Sequence, residues 1–423
     1  MDKKKEWTLF KTTSISISAG FILIVIGIIA FFQRLYFAMG VFEILAIIFF
    51  VHSLLDLFRY FTQKRGKPFF TIMIMALTGV GMFFYTDIPI YLSIILFALY
   101  ITINGLARFL VYWEYKQNKV TGRMMILFLA ILFFVNGITT LVSPRLNANQ
   151  AIQIVAVYAI LLGIGYVLDG VLLVVSKGKK EIWKRNIRVS LPVFITTLLP
   201  KIMMDFINNI VEQKPLIGPQ PMEREINLEI FIHASGNGYG QIGHCDICLD
   251  GKVISYGNYD HASTKFFEMM GDGVLVISNK EQYLRFCIQD SQKTIFGYGL
   301  HLRAQQLKAV RDALATIQKD AYEWFPPAYF DVHRTDYASR MSLEIKAQYF
   351  KFYRGKFKNY FVFGCNCVLL VEILVGRVGH NIINLHGIIS PGRYQEYLEK
   401  EYYQQGIVVS RTVYNKELLG LSK

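Results

Sequence analysis

Tyr360-Phe-Val-Phe-Gly-Cys-Asn-Cys-Val-Leu-Leu-Val-Glu-Ile-Leu-Val-Gly376 joins a short aromatic run, a glycine-containing turn and a strongly apolar stretch. Tyr360 to Phe363 reads as the end of a strand. Gly364 to Asn366 turns, and asparagine is a favoured N-cap. The run from Cys367 to Gly376 therefore reads as a helix with Cys367 in its first turn. Free N–H groups and the helix dipole stabilise a thiolate at such a position, which makes Cys367 a candidate nucleophile. Taken alone, Cys365 and Cys367 read equally well as small buried apolar residues. The rest of the chain has to decide.

The chain has 423 residues, 53% of them hydrophobic and 15% aromatic, with a mean hydropathy of +0.35. That average hides a division. Residues 1–176 are almost continuously apolar, whereas the remainder has the composition of a globular domain. The net charge of +14 is not a nucleic-acid signal, because much of it lies in short clusters beside apolar runs, as in loops at an anionic membrane surface. All five cysteines (Cys245, Cys248, Cys287, Cys365 and Cys367) fall in the second half. An odd number without a small disulfide framework points to a reducing compartment.

Six apolar runs, at residues 14–32, 36–58, 69–85, 90–112, 124–142 and 151–175, are each near the length of a transmembrane helix. The first lacks a small-residue cleavage site and reads as a retained span. Basic residues fall in alternate connections: Lys64, Arg65 and Lys67, then Lys116, Lys119 and Arg123, then a cluster from Lys177 to Arg188. With Lys3 to Lys5 these lie on one side, so the positive-inside rule places both ends of this half in the cytoplasm. The half reads as three copies of a helical hairpin with a tight outer turn and a basic inner end. Asp56 with Arg59, Asn104 with Arg108, and Asp169 recur near the inner ends, where Arg59 and Arg108 read as snorkelling or capping. Glu43 and His52, deeper in the second run, are the candidates for a buried polar contact.

The repeated pattern, with runs such as Gly20-Phe-Ile-Leu-Ile-Val-Ile-Gly-Ile-Ile-Ala30 and Ile160-Leu-Leu-Gly-Ile-Gly-Tyr-Val-Leu-Asp-Gly170, resembles the HdeD-like acid-resistance membrane proteins. The resemblance implies an inner-membrane bundle of six helices and carries no mechanism. Residues 189–211 are too interrupted at Pro200-Lys201 to span, and residues 202–211 are amphipathic, so the segment reads as interfacial. The linker from Glu212 to Glu225 follows. The expected organisation is a six-span domain over 1–176, a basic interfacial segment and linker over 177–225, and an α+β domain over 226–423.

In that domain strands are predicted at 227–232, 241–249, 252–256, 273–277 and 294–302, and helices at 303–321 and 393–403. Asp250-Gly251 between alternating runs marks a hairpin. The run Gly243-His-Cys-Asp-Ile-Cys-Leu-Asp-Gly-Lys-Val-Ile-Ser-Tyr256 resembles the histidine-bearing hairpin of papain-like hydrolases. Asn366-Cys-Val-Leu-Leu-Val-Glu-Ile-Leu374 resembles their cysteine-bearing helix. The order, histidine first, is that of the circularly permuted branch, which includes lecithin retinol acyltransferase-like proteins and NlpC-type peptidases. The resemblance covers residues 227–400 and takes in Ser390-Pro-Gly-Arg-Tyr394.

The resemblance implies that Cys367 attacks an amide, thioester or ester carbonyl while His244 takes and returns the proton. It places a third, orienting group on the strand after the hairpin turn, where Ser255, Asn258 and His261 are on offer without a clear match. Zinc on Cys245-x-x-Cys248 and Cys365-x-Cys367 is disfavoured, because a strand puts Cys245 and Cys248 on opposite faces. The glycine-rich run 235–240 lacks the Lys-Ser/Thr of a phosphate loop. No cofactor or metal is expected. The partners expected are the lipid bilayer and a peptide, protein or lipid-linked acyl substrate, with nucleic acid excluded. The rival to a membrane-anchored cysteine hydrolase is a membrane sensor or scaffold bearing an inactive binding domain.

Overall fold

The computed structural model describes residues 3–63, 67–120, 122–174, 200–203, 224–235, 243–362, 364–376, 390–403 and 406–416. Packing divides the chain into two units: residues 1–106 with 128–177, and residues 107–127 with 178–423. Of the interfacial segment 189–211 only 200–203 are described, and these are helical; the linker up to 223 and the glycine-rich run from 236 lie outside the described residues.

The apolar half forms six helices: α1 (Lys3–Gln33), α2 (Leu35–Gln63), α3 (Phe69–Phe84), α4 (Asp87–Gln117), α5 (Arg123–Val142) and α6 (Pro144–Val174). Five are long and apolar enough to cross a membrane. The exception is α3, whose 16 residues reach about 24 Å, short of a hydrocarbon core of about 30 Å. The six expected spans thus become five helices of spanning length and one shorter helix. Phe21, Phe32, Leu54, Phe58, Leu77 and Phe84 are all exposed, an outer surface suited to lipid and not to water.

The close helix–helix approaches differ from the expected hairpins. A Cβ on Gly20 of α1 would lie 2.6 Å from the carbonyl oxygen of Gly163 on α6, and one on Gly79 of α3 would lie 3.0 Å from that of Ala46 on α2. Gly105 of α4 meets Phe134 of α5 in the same way. So the tight contacts join α1 with α6, α2 with α3 and α4 with α5, the latter two across the basic connections. Small residues let backbones approach, and loop length does not reveal which face carries them. Glu43 and His52 are both exposed, contrary to expectation. Asp56 and Asp169 are buried carboxylates of this half, and Asp56 meets Lys67 at 3.1 Å, His52 at 3.4 Å and Arg59 at 3.7 Å.

The second unit is built on an eight-stranded antiparallel sheet of order β10-β6-β1-β2-β3-β5-β8-β7. Its strands are β1 (Leu228–Ala234), β2 (His244–Leu249), β3 (Lys252–Gly257), β5 (Val274–Asn279), β6 (Thr294–Leu300), β7 (Ala321–Glu323), β8 (Gln348–Phe352) and β10 (Val408–Tyr414). A small ladder pairs β4 (Met270–Asp272) with β9 (Asn359–Phe361). The β2–β3 turn has positive φ at Asp250 and Gly251 (52° and 73°), the conformation that an Asp-Gly hairpin requires.

Helices cover both faces of the sheet. Apolar side chains of α8 (Ala304–Gln318), α10 (Cys367–Gly376) and α11 (Pro391–Tyr403) share one core with Ile230, Ile232, Cys245, Ile247 and Ile254. On the other face α7 (Lys280–Gln289) and α9 (Tyr337–Glu344) pack on Phe231, Cys248, Val253 and Val276. Strand alternation therefore sends Cys245 and Cys248 into opposite cores. The α+β class expected from the sequence is what the described residues show.

A candidate cysteine–histidine site

His244 opens β2, and the same alternation that sends Cys245 towards α10 sends His244 and Asp246 to the opposite face. His233 on β1 stands directly across the ladder from His244, and Ser255 comes from β3. Tyr283 of α7 closes the group from above: its hydroxyl donates to Asp246 Oδ2 at 2.8 Å. Cys367 begins α10. The side chain of Asn366 caps that helix, accepting from the N–H groups of Val368 (3.1 Å) and Leu369 (3.3 Å).

Around the His244 ring, Nε2 lies 2.7 Å from Asp246 Oδ1, 2.9 Å from Ser255 Oγ and 3.5 Å from the Tyr259 hydroxyl. The Asp246 oxygen lies off the N–H direction, so this contact is held by charge more than by an in-line hydrogen bond. The Cys367 thiol is a further charge partner of the ring and lines the same cleft. Asp246 reaches a second imidazole, His233 Nε2, at 2.8 Å. A wholly buried carboxylate thus bridges two histidines.

The charges follow from burial and pairing. Burial pulls the His244 imidazole down, but Asp246 and then Cys367 outweigh it and raise it to about 10. Its side chain is 21% exposed to the cleft, so water reaches one edge. For His233 burial wins over the attraction of Asp246, and the ring is lowered to about 4. Burial would raise Asp246, but His244 and His233 hold it well below the usual carboxylate range. The site is one anion between one charged and one neutral imidazole.

The lowered His233 has a consequence for stability. Its contribution is complete above the unfolded histidine value of 6.5 and is lost as pH falls through its folded value of about 4. The shift corresponds to about 3 kcal/mol between these limits. Thermal unfolding of the detergent-solubilised protein should therefore show a steep loss of stability from pH 6.5 to pH 4.5, and His233→Gln should flatten it. Equal slopes in the two proteins would remove His233 as the cause.

The structure brings Cys367, His244 and Ser255 together and leaves Asn258 and His261 apart from the ring. The Asn258 amide donates to the carbonyl of Glu268 at 3.1 Å, bracing the loop before β4. The His261 side chain is 70% exposed and lies 3.8 Å from Glu268. Asp246, His233, Tyr259 and Tyr283 join the ring in addition to the residues expected from the sequence. Asp246 had a signal, since it lies two residues from His244 on a strand and so shares its face. His233 had a weaker one, a lone imidazole in an apolar strand.

Cys367 and His244 line a cleft of about 1110 Å³, together with Tyr360 and Asn366. Charged side chains of both signs stand around it, among them Lys293, Arg334, Glu268 and Asp331. Among the described residues no three His, Cys, Asp or Glu side chains are grouped to hold a metal ion. Cys365, adjacent in sequence to the capped turn, is raised to about 12 by burial and stays a neutral thiol.

A short repeat of unknown function, DUF308, matches residues 18–77 and 71–142. This repeat is typical of HdeD-like membrane proteins, and with five helices of spanning length it marks a multi-pass membrane protein. The match does not extend to the sheet domain. No curated protein and no solved structure matches the chain.

Proposed function

We propose that the second unit is a cysteine hydrolase or acyltransferase acting on an amide, isopeptide, thioester or ester bond, anchored in the inner membrane by the first. The observation that carries this reading is the pairing of the Cys367 thiol with the His244 ring in one cleft, with the Asp246 carboxylate 2.7 Å from Nε2. The placement of a capped, cysteine-bearing helix on an antiparallel sheet whose hairpin bears the histidine is in keeping with the permuted papain-like hydrolases. The basic connections favour a cytoplasmic site.

With Nε2 engaged by Asp246 and Ser255, Nδ1 is the nitrogen left for sulfur. Sγ attacks the carbonyl carbon and forms a tetrahedral oxyanion. The N–H groups of Val368 and Leu369 serve the Asn366 cap, so the N–H of Cys367 is the first-turn donor for that oxygen. Imidazolium then protonates the departing nitrogen, oxygen or sulfur as its bond to carbon breaks. Water, or an acceptor hydroxyl or amine, gives its proton to His244 and attacks the thioester, releasing Cys367.

The burial of Cys367, only 2% exposed, favours a second reading, an inactive relative that binds a partner. Treating the full-length protein in detergent with p-nitrophenyl acetate separates the two. The enzyme reading expects an acetyl thioester on Cys367, located by peptide mass spectrometry, and none at Cys287. Acetylation no greater at Cys367 than at Cys287 would favour the binding module.

A further inference from the structure

Residues 107–127, the end of α4, the loop after it and the start of α5, belong to the same unit as the sheet, and their contacts converge on the turn before Cys367. The Asn359 amide donates to the Glu114 carboxylate. The Tyr115 hydroxyl and the Cys365 thiol interact within one buried cluster. Tyr115, Val120 and Cys365 form a buried cluster against which Val111 and Leu369 pack. Gly364 is so close to Val111 that a Cβ there would collide with Cγ2.

The turn these contacts grip is itself closed. The Gly364 N–H bonds the Phe361 carbonyl at 3.0 Å, and the Phe361 N–H bonds the Cys365 carbonyl at 3.0 Å. The Asn366 amide donates to the Val362 carbonyl at 2.8 Å while its oxygen caps α10. A displacement at Gly364 is therefore passed to the cap and to Cys367 with little to absorb it. Tyr115 is 8% exposed and Cys365 2%, so neither contact is a loose surface encounter.

We propose that Val111, Glu114 and Tyr115 are positioning residues for the nucleophile: they set the Gly364–Asn366 turn so that Cys367 meets His244. The proposal rests on the cysteine-hydrolase reading. The contacts all come from residues 107–127, which belong to the same unit as the turn. These residues then govern turnover without touching substrate.

The test uses the full-length protein in detergent, with p-nitrophenyl acetate as probe. Gly364→Ala is expected to lower kcat about tenfold with KM within about twofold, the split of a lost positioning contact. Val111→Ala in the same chain removes the methyl that the new Cβ meets, and should restore kcat to within about threefold of Val111→Ala alone. Glu114→Ala should lower kcat, whereas Glu114→Gln, which keeps an acceptor for Asn359, should not. If Gly364→Ala does not fold, the Glu114 pair decides. Wild-type kcat in Gly364→Ala or Glu114→Ala, or a Gly364→Ala defect untouched by Val111→Ala, overturns the proposal. A His244→Ala protein that turns over at the wild-type rate overturns the hydrolase reading beneath it instead.

Discussion

His244→Ala is expected to slow acylation of Cys367 at pH 7 by about 100-fold or more, the usual contribution of a positioned general acid–base group. The ring is the group that links the sulfur to the buried carboxylate: Cys367 on one side, Asp246 2.7 Å away on the other. Raised to about 10, it carries a proton across the neutral range. In the proposed mechanism the imidazolium stands beside the sulfur before substrate arrives and beside the leaving group in the tetrahedral intermediate. Alanine removes both the charge and the proton. Stopped-flow release of p-nitrophenolate measures the step, and a rate within about threefold of wild type would show that the ring takes no part.

The second large effect is expected at Asp246. Its carboxylate is fully buried and offsets the charge of His244, so Asp246→Ala leaves that charge without its counter-ion. Breaking a buried pair in this way costs about 3–5 kcal/mol. Asp246→Asn is the finer probe, because the amide oxygen can still accept from Tyr283 while the charge is gone. His244 is raised from 6.5 to about 10, so its stabilising contribution is complete below 6.5 and lost as pH rises through 10. The Asp246→Asn protein should start less stable at pH 7 and change less between pH 7 and pH 10 than wild type. Chemical unfolding at the two pH values checks this; matching curves for the two proteins would contradict it.

The helix that begins at Cys367 was legible because its signals are local. Asn366 announces a helix start, and Asp250-Gly251 announces the hairpin that carries His244. Asp246 was legible in principle from the two-residue strand period, but the orienting group was sought on the next strand, where Ser255 reaches the ring without bringing a charge. His233, Tyr283 and Tyr259 meet the site through cross-strand register and helix packing, which no local pattern encodes. The grouping of residues 107–127 with the sheet was equally out of reach: Glu114 and Tyr115 fall just beyond the apolar run 90–112, and their partners Asn359 and Cys365 lie 245 and 250 positions further on. In the first unit, hydropathy gave the helices, whereas glycine faces chose their partners.

The proposed function requires the His244 ring to activate the Cys367 sulfur. Site-resolved alkylation of the full-length protein by iodoacetamide at pH 7 measures this without any substrate, with the buried Cys287 as internal reference. Cys367 is expected to react about tenfold or more faster than Cys287 in the wild type and to lose that lead in His244→Ala. Equal rates for the two cysteines in the wild type, or a Cys367 lead that survives the loss of His244, would contradict it.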